Sequence, residues 1–143
     1  MRIRKLNHSV YQLQYHIVWG TKYRRKVLKP YVRTELIKSM YKVLRKCPDW
    51  YLHEINTGDD HVHILLELPP KYTISFAIKQ FESHSNTSIK KHFKFIREIY
   101  LGRSMWSVGY FVSSVGLNEE QIRKYIRKQS KYELPKDITN EFS

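Results

Sequence analysis

Apolar and polar positions alternate from Tyr11 to Trp19, with Tyr11, Leu13, Tyr15, Ile17 and Trp19 separated in turn by Gln12, Gln14 and His16. That period of two predicts a strand with one buried face. A basic stretch from Lys22 to Lys29 follows, and Pro30 then stands where a first helical turn tolerates proline. Leu36, Ile37, Met40, Val43, Leu44 and Cys47 recur at three-and-four spacing up to Pro48, the pattern of an amphipathic helix. Trp50 to Asn56 reads as a strand, Thr57-Gly58-Asp59-Asp60 as a tight turn, and His61 to Leu68 as the antiparallel partner that Pro69-Pro70 stops. Thr73 can cap a second helix with Ile74, Ile78, Phe81, Ser85 and Ile89 on one face, ending near Phe95, although Ser83 to Ser88 is poor in helix formers. Trp106 to Ser113, aromatic and β-branched, predicts a fourth strand. Gly116 separates it from a last helix running from Asn118 to about Tyr132, with Asn118 and Gln121 spaced as a capping box.

The order β-α-β-β-α-β plus a terminal helix implies an α+β protein: a ferredoxin-like antiparallel sheet with helices on one face and the other face open. No internal repeat, linker or low-complexity tract divides the 143 residues, so a single domain over 1–143 is expected, with its core at about 8–132.

Charge narrows the partner. Lys and Arg number 26 against 13 Asp and Glu, a formal net charge of +13, and 14% of residues are aromatic. Such a surface attracts polyanions, and aromatics interleaved with cations suit unpaired bases. No run approaches the roughly 18 apolar residues of a membrane-spanning helix. The single Cys47 excludes an intramolecular disulfide and a Cys-rich zinc module, and Met1 to Leu6 lacks an apolar signal-peptide core, so a cytoplasmic location is expected.

His61-Val62-His63 is the strongest chemical signal. On a strand both imidazoles share one face, about 7 Å apart along the backbone, while Val62, Ile64, Leu66 and Leu68 face the core. Two neutral imidazoles so placed can bind a divalent metal. Seven histidines in a chain of this length generate about one third of a His-x-His match by chance, so the pair needs a further ligand to become a site. On the last helix Gln121, Tyr125 and Gln129 are four apart and share a face. Ile122 and Ile126 form its apolar edge, and burying two isoleucines contributes only ~3 to 5 kcal/mol, so this helix is lightly anchored or docks on a partner subunit. Tyr125 is either a surface aromatic among Arg123, Lys124, Arg127, Lys128 and Lys131, or a nucleophile with Gln129 offering a carbonyl oxygen to the same metal.

Three blocks taken together are similar to the small single-tyrosine HUH transposases of bacterial and archaeal insertion sequences, over about Tyr11 to Gln129. They are Tyr15-His16-Ile17-Val18-Trp19-Gly20-Thr21-Lys22-Tyr23-Arg24-Arg25; His61-Val62-His63 with Pro69-Pro70-Lys71-Tyr72; and Gly109 to Gly116 followed by Ile122-Arg123-Lys124-Tyr125-Ile126 and Gln129. Phe81-Glu82-Ser83-His84-Ser85-Asn86 departs from the Lys-Gly-Lys-Ser-type stretch of many relatives, and Trp106-Ser107-Val108-Gly109 from their Trp-Gly-x-Gly. The resemblance implies metal ligands at His61 and His63, a third at Gln129, and the nucleophile at Tyr125. It implies Mg²⁺ or Mn²⁺ in preference to the Zn²⁺ that imidazoles also accept. It further implies a homodimer whose sites are completed in trans by the partner's Tyr125 helix, hairpin-ended single-stranded DNA as substrate, and no nucleotide cofactor or membrane partner.

The implied chemistry is transesterification through a 5′-phosphotyrosine. A phenol ionises near pH ~10, and cations around Tyr125 favour the phenolate as it develops. Arg24, Arg25, Lys26, Lys90, Lys91 and Lys94 are candidate phosphate contacts. A non-catalytic single-stranded RNA- or DNA-binding module of ferredoxin-like fold is the alternative, but it lacks the Gly-aromatic RNA-binding motif and leaves the histidine pair unexplained.

Overall fold

The structure is a computed structural model that describes residues 4–6, 9–11, 13–114, 120 and 123–128. A short hairpin, β1 (Arg4–Leu6) and β2 (Ser9–Tyr11), forms a two-stranded sheet of its own. The main sheet is built from β3 (Gln14–Gly20), β4 (Tyr51–Thr57), β5 (His61–Glu67) and β6 (Phe111–Ser113) in the order β4-β5-β3-β6, all pairs antiparallel. Helices α1 (Pro30–Lys46) and α2 (Ile74–His92) make the two crossovers, and a short α3 (Lys94–Ile99) precedes β6. This is the expected ferredoxin-like arrangement, an α+β fold.

Facing follows the alternation read from the sequence. Ile17 and Trp19 of β3 and Val62, Ile64 and Leu66 of β5 are fully buried, together with Val32, Leu36 and Met40 of α1 and Ala77, Phe81 and Ile89 of α2. Trp19 is the hub: its ring stacks on Phe81 at 6.4 Å and meets Trp106 edge-on at 6.1 Å.

Three elements differ from the sequence expectation. The strand expected from Tyr11 to Trp19 is two strands with different partners, β2 pairing with β1 and β3 with β5 and β6. Alternation reports which way residues face, not which neighbour they pair with. The strand expected from Trp106 to Ser113 shrinks to Phe111–Ser113. Trp106 makes an isolated bridge to Thr21 and sends its indole N–H to Ser85 Oγ at 2.9 Å, so its apolar bulk serves the core from a crossing loop. Val108 is 85% exposed there, outside any strand.

The third difference is in α2, which runs unbroken through Ser83 to Ser88. Serine and asparagine weaken an isolated helix by competing for its backbone. Here tertiary bonds engage them instead: Ser85 receives Trp106, Asn86 Oδ1 accepts from the Met105 amide at 2.9 Å, and Ser88 Oγ donates to Glu35 at 2.5 Å. Thr73 caps α2 as expected, accepting from the Phe76 amide at 3.0 Å. The helix stops at Phe93, after which α3 starts afresh. Residues 123–128 are helical; Asn118, Gln121 and Ile122 of the expected last helix lie outside the described residues. No helix among the described residues is long and apolar enough to cross a membrane.

Burial pushes the Glu82 carboxyl of α2 up to about 8. The unfolded carboxyl ionises in the usual carboxylate range while the folded one keeps its proton to about pH 8, so stability falls as pH rises across that window. Glu82→Gln removes the ionisation. Thermal melts are expected to show the variant more stable than wild type by a few kcal/mol at pH 8, with the gap closing toward pH 4 to 5, on the order of the linkage involved.

Candidate functional site

The face of the sheet away from the helices carries the chemistry. Opposed residues in an antiparallel pair project to the same side, so register decides which groups meet. Gly20 opposes His61, Val18 opposes both His63 and Phe111, and His16 opposes Leu65 and Ser113. His61 and His63 therefore stand on the open face, as their spacing predicts.

Each imidazole has a defined partner. His61 Nδ1–H donates to Asp60 Oδ1 at 2.9 Å. Burial raises the Asp60 carboxyl, but the hydrogen bond and charge of His61, with Arg24 and Lys26, more than offset it and hold the group below its usual range. An ionised carboxylate only accepts, so the proton stays on Nδ1 and the Nε2 lone pair is left for a ligand. His63 is pressed toward its neutral form first by burial and then by His16. Its Nε2 stands 3.1 Å from His16 Nδ1, the rings 5.4 Å apart.

Gly58 makes room for this arrangement, because a Cβ there would sit 2.3 Å from His61 Cε1. A carboxylate-oriented imidazole and a second one kept neutral fit a divalent metal. Among the described residues no cluster of three His, Cys, Asp or Glu is set to hold a metal, and Gln129 lies outside them.

Tyr125 is half-buried, with its hydroxyl oxygen shielded from solvent. Its ring packs on Phe111 at 5.6 Å and under the Arg24 guanidinium at 5.9 Å. Phe111 is two strand spacings, about 10 Å, from His63 on the same face. Tyr125 and the histidine pair thus share one open surface.

Arg24 links them. Tyr23 and Arg24 take left-handed backbone angles, φ 65° and 54°, within the turn Lys22–Arg24. The Arg24 side chain then folds back over Gly20 and donates to the Asp60 carbonyl at 3.1 Å. A Cβ on Gly20 would fall 1.0 Å from Arg24 Nη1. Gly20→Ala is therefore expected to expel the guanidinium with a stability change under about 1 kcal/mol, since a flexible side-chain end moves aside. A thermal melt beside a structure of the variant checks it, with the guanidinium displaced from the Tyr125 ring.

The remaining basic residues divide. Arg25 stacks on Tyr23 and Tyr100, with its guanidinium 4.8 and 5.7 Å from their ring centres. Lys90 donates to the Tyr100 carbonyl at 2.7 Å and also to that of Arg103, and burial lowers its ammonium. Lys94 pairs with Glu98 at 3.7 Å, whereas Lys26 and Lys91 are exposed. Gln14 is 8% exposed and bonded to Glu67 and His53; Gln12 lies outside the described residues.

Sequence reasoning missed the His16–His63 contact and the Arg24 bridge. The register was the missing signal for the first. Gly20 four residues before Arg24 was the available hint for the second.

A family signature described as "Transposase IS200 like" matches residues 9–129. The chain is 32% identical over 129 residues to the transposase for insertion sequence element IS200 of Salmonella typhimurium, covering 88% of this chain and 82% of that one. It is 30% identical over 133 residues to the ISDra2 transposase TnpA of Deinococcus radiodurans, covering 90% and 92%. A crystal structure of a candidate transposase from Deinococcus radiodurans superposes with a TM-score of 0.77 at 28% identity, over 88% of this chain and 97% of that one. A REP-associated tyrosine transposase bound to a REP hairpin shares the fold, with a TM-score of 0.56 at 14% identity over 92% and 70%.

Proposed function

The chain belongs to the IS200-like transposases, enzymes that cleave and rejoin single-stranded DNA through a tyrosine nucleophile, and from there we propose that Tyr125 is the nucleophile. In this reading His61, His63 and Gln129 hold the divalent metal that the family uses, Mg²⁺ or Mn²⁺. The observation that carries it is the shared open face: two oriented imidazoles on β5 and the Tyr125 ring against Phe111 and Arg24. The substrate is single-stranded DNA beside hairpin ends, held in part by the exposed Lys26 and Lys91 through phosphate contacts.

The Tyr125 oxygen attacks the scissile phosphorus in line with the departing 3′ oxygen. An Oη–P bond forms as the P–O3′ bond breaks, the phenol proton is given up, and the leaving oxygen ends as a 3′ hydroxyl. The metal, when bound, supplies Lewis-acid neutralisation of charge at the phosphoryl oxygens. Asp60 orients the His61 ring through Nδ1, and burial with His16 presses His63 toward its neutral, metal-binding form. Arg24 sets the Tyr125 ring and places positive charge where the phenolate develops. The phosphotyrosine keeps the energy of the broken bond, so a 3′ hydroxyl from another strand reverses the step without a nucleotide cofactor.

The working unit is a homodimer that exchanges the helices bearing Tyr125, each taking in its partner the place that it holds against Phe111 and Arg24 within the single chain, a two-fold arrangement with two equivalent composite centres. Mixing Tyr125→Phe protein with a His61→Ala/His63→Ala variant after subunit exchange should restore adduct formation to about one site in four. No recovery from a mixture shown to contain heterodimers would place completion within one chain.

A further inference from the structure

Glu82 is the acidic group that the site above does not use. Its Oε2 is buried and has no hydrogen-bond partner among the described residues. Leaving such an acceptor unmet costs about 1–3 kcal/mol, so a native chain that keeps one has reason to meet it with a ligand.

The residue lines a cleft of about 290 Å³ between α2 and the loop before β6, shared with Lys79, Trp106, Ser107, Val108 and Tyr110. That volume lies at the small end of ligand cavities and admits one planar ring rather than a duplex. Its rim carries exposed apolar surface, Val108 at 85% and Tyr110 at 38%.

The place of the cleft matters as much as its lining. The Ser107 amide donates to the Gly20 carbonyl at 2.8 Å, and Gly20 opposes His61. The cleft therefore lies at the β6 edge of the sheet on the α2 side, with His61 two strands away on the opposite face. Tyr110 directly precedes Phe111, on which Tyr125 packs.

We propose that this cleft is a docking site for one unpaired base of the single-stranded substrate, stacked against Tyr110 and hydrogen-bonded by the Glu82 carboxyl. Every base offers a π-face to an aromatic side chain and a hydrogen-bonding edge to a carboxyl group. Burial keeps that carboxyl protonated near neutral pH, which gives it both a donor and an acceptor and spares the phosphates a negative neighbour. From the docked base the strand would pass around the β6 edge to the face that carries the histidine pair, which fixes the register of the scissile phosphate. The inference rests on the transposase reading above and adds a protein contact to a base near the cut.

The test uses the full chain and a series of hairpin-ended oligonucleotides carrying, at each position flanking the cleavage point in turn, the natural base, an abasic site, or difluorotoluene, a ring that stacks but does not hydrogen-bond. Affinity and adduct yield are read on the same oligonucleotides. At one position wild type should lose about tenfold in affinity with the abasic site and about fivefold with difluorotoluene. Glu82→Leu should bind natural base and difluorotoluene alike there, Tyr110→Ala should lose the abasic penalty, and Glu82→Gln, which keeps one acceptor and a donor, should behave as wild type. Adduct formation with no position sensitive to base removal, or a difluorotoluene penalty unchanged in Glu82→Leu, overturns the docking site while leaving the transposase reading intact. Absence of any adduct from wild type overturns that reading instead.

Discussion

Tyr125→Phe protein is expected to bind a hairpin-ended single-stranded oligonucleotide with affinity within about twofold of wild type and to form no covalent adduct. The change removes one oxygen and keeps the ring that packs on Phe111 and under Arg24, so the surface is preserved while the attacking atom is lost. A phenyl ring has no group that can form the ester, so the loss is complete rather than partial. Gel-resolved adduct and fluorescence anisotropy on the same sample separate the two quantities. Adduct from Tyr125→Phe at wild-type yield would assign the nucleophile elsewhere.

Removing the imidazoles comes second in size. His61→Ala and His63→Ala, singly, should lower the cleavage rate at saturating Mg²⁺ by at least ~10²-fold, and the pair by ~10³-fold or more, in line with loss of a principal charge-stabilising group at a phosphoryl centre. Because the residues would act as one metal site, the two losses are expected to be less than additive. Metal affinity, followed by calorimetry with Mn²⁺ and no DNA, should drop in each variant. His63→Ala should also leave fold stability nearly unchanged, since the ring is only half-buried on the open face. Unaltered Mn²⁺ binding in the double variant would remove the histidines from the metal site.

The parts of the molecule that were legible in advance are those set by local period. Val62, Ile64 and Leu66 alternate with His61, His63 and Leu65, so one strand declares both the core and the chemical face. α1, α2 and the hairpin around Gly58 follow the same logic. What was not legible depends on partners distant in sequence. His16 meets His63 only because β3 and β5 pair in the observed register, 47 positions apart. Trp106 looked like strand because indole and β-branched neighbours favour strands, whereas its N–H is taken up by Ser85 and its bulk by Trp19. Arg24 reads as a candidate phosphate contact, and left-handed backbone angles turn it onto Gly20 and Asp60. Glu82 carried no local signal at all, since its burial is produced by a loop that crosses α2 from more than twenty residues later.

Net charge shows the same limit from another side. An excess of +13 points to a polyanion. It does not say which cations reach the phosphate, and several are spent within the fold: Arg25 on Tyr23, and Lys90 on the carbonyls of Tyr100 and Arg103.

The central claim, that Tyr125 takes the 5′ phosphate of a single strand, is open to direct chemical mapping. An oligonucleotide with a sulfur in place of the bridging 3′ oxygen at the cleavage point releases a thiol that rejoins poorly, so the covalent complex accumulates. Proteolysis and mass spectrometry of that complex should place a 5′-phosphonucleotide on the peptide containing Tyr125. Recovery of the nucleotide on any other of the 11 tyrosines, or joined through a 3′ phosphate, would contradict the account.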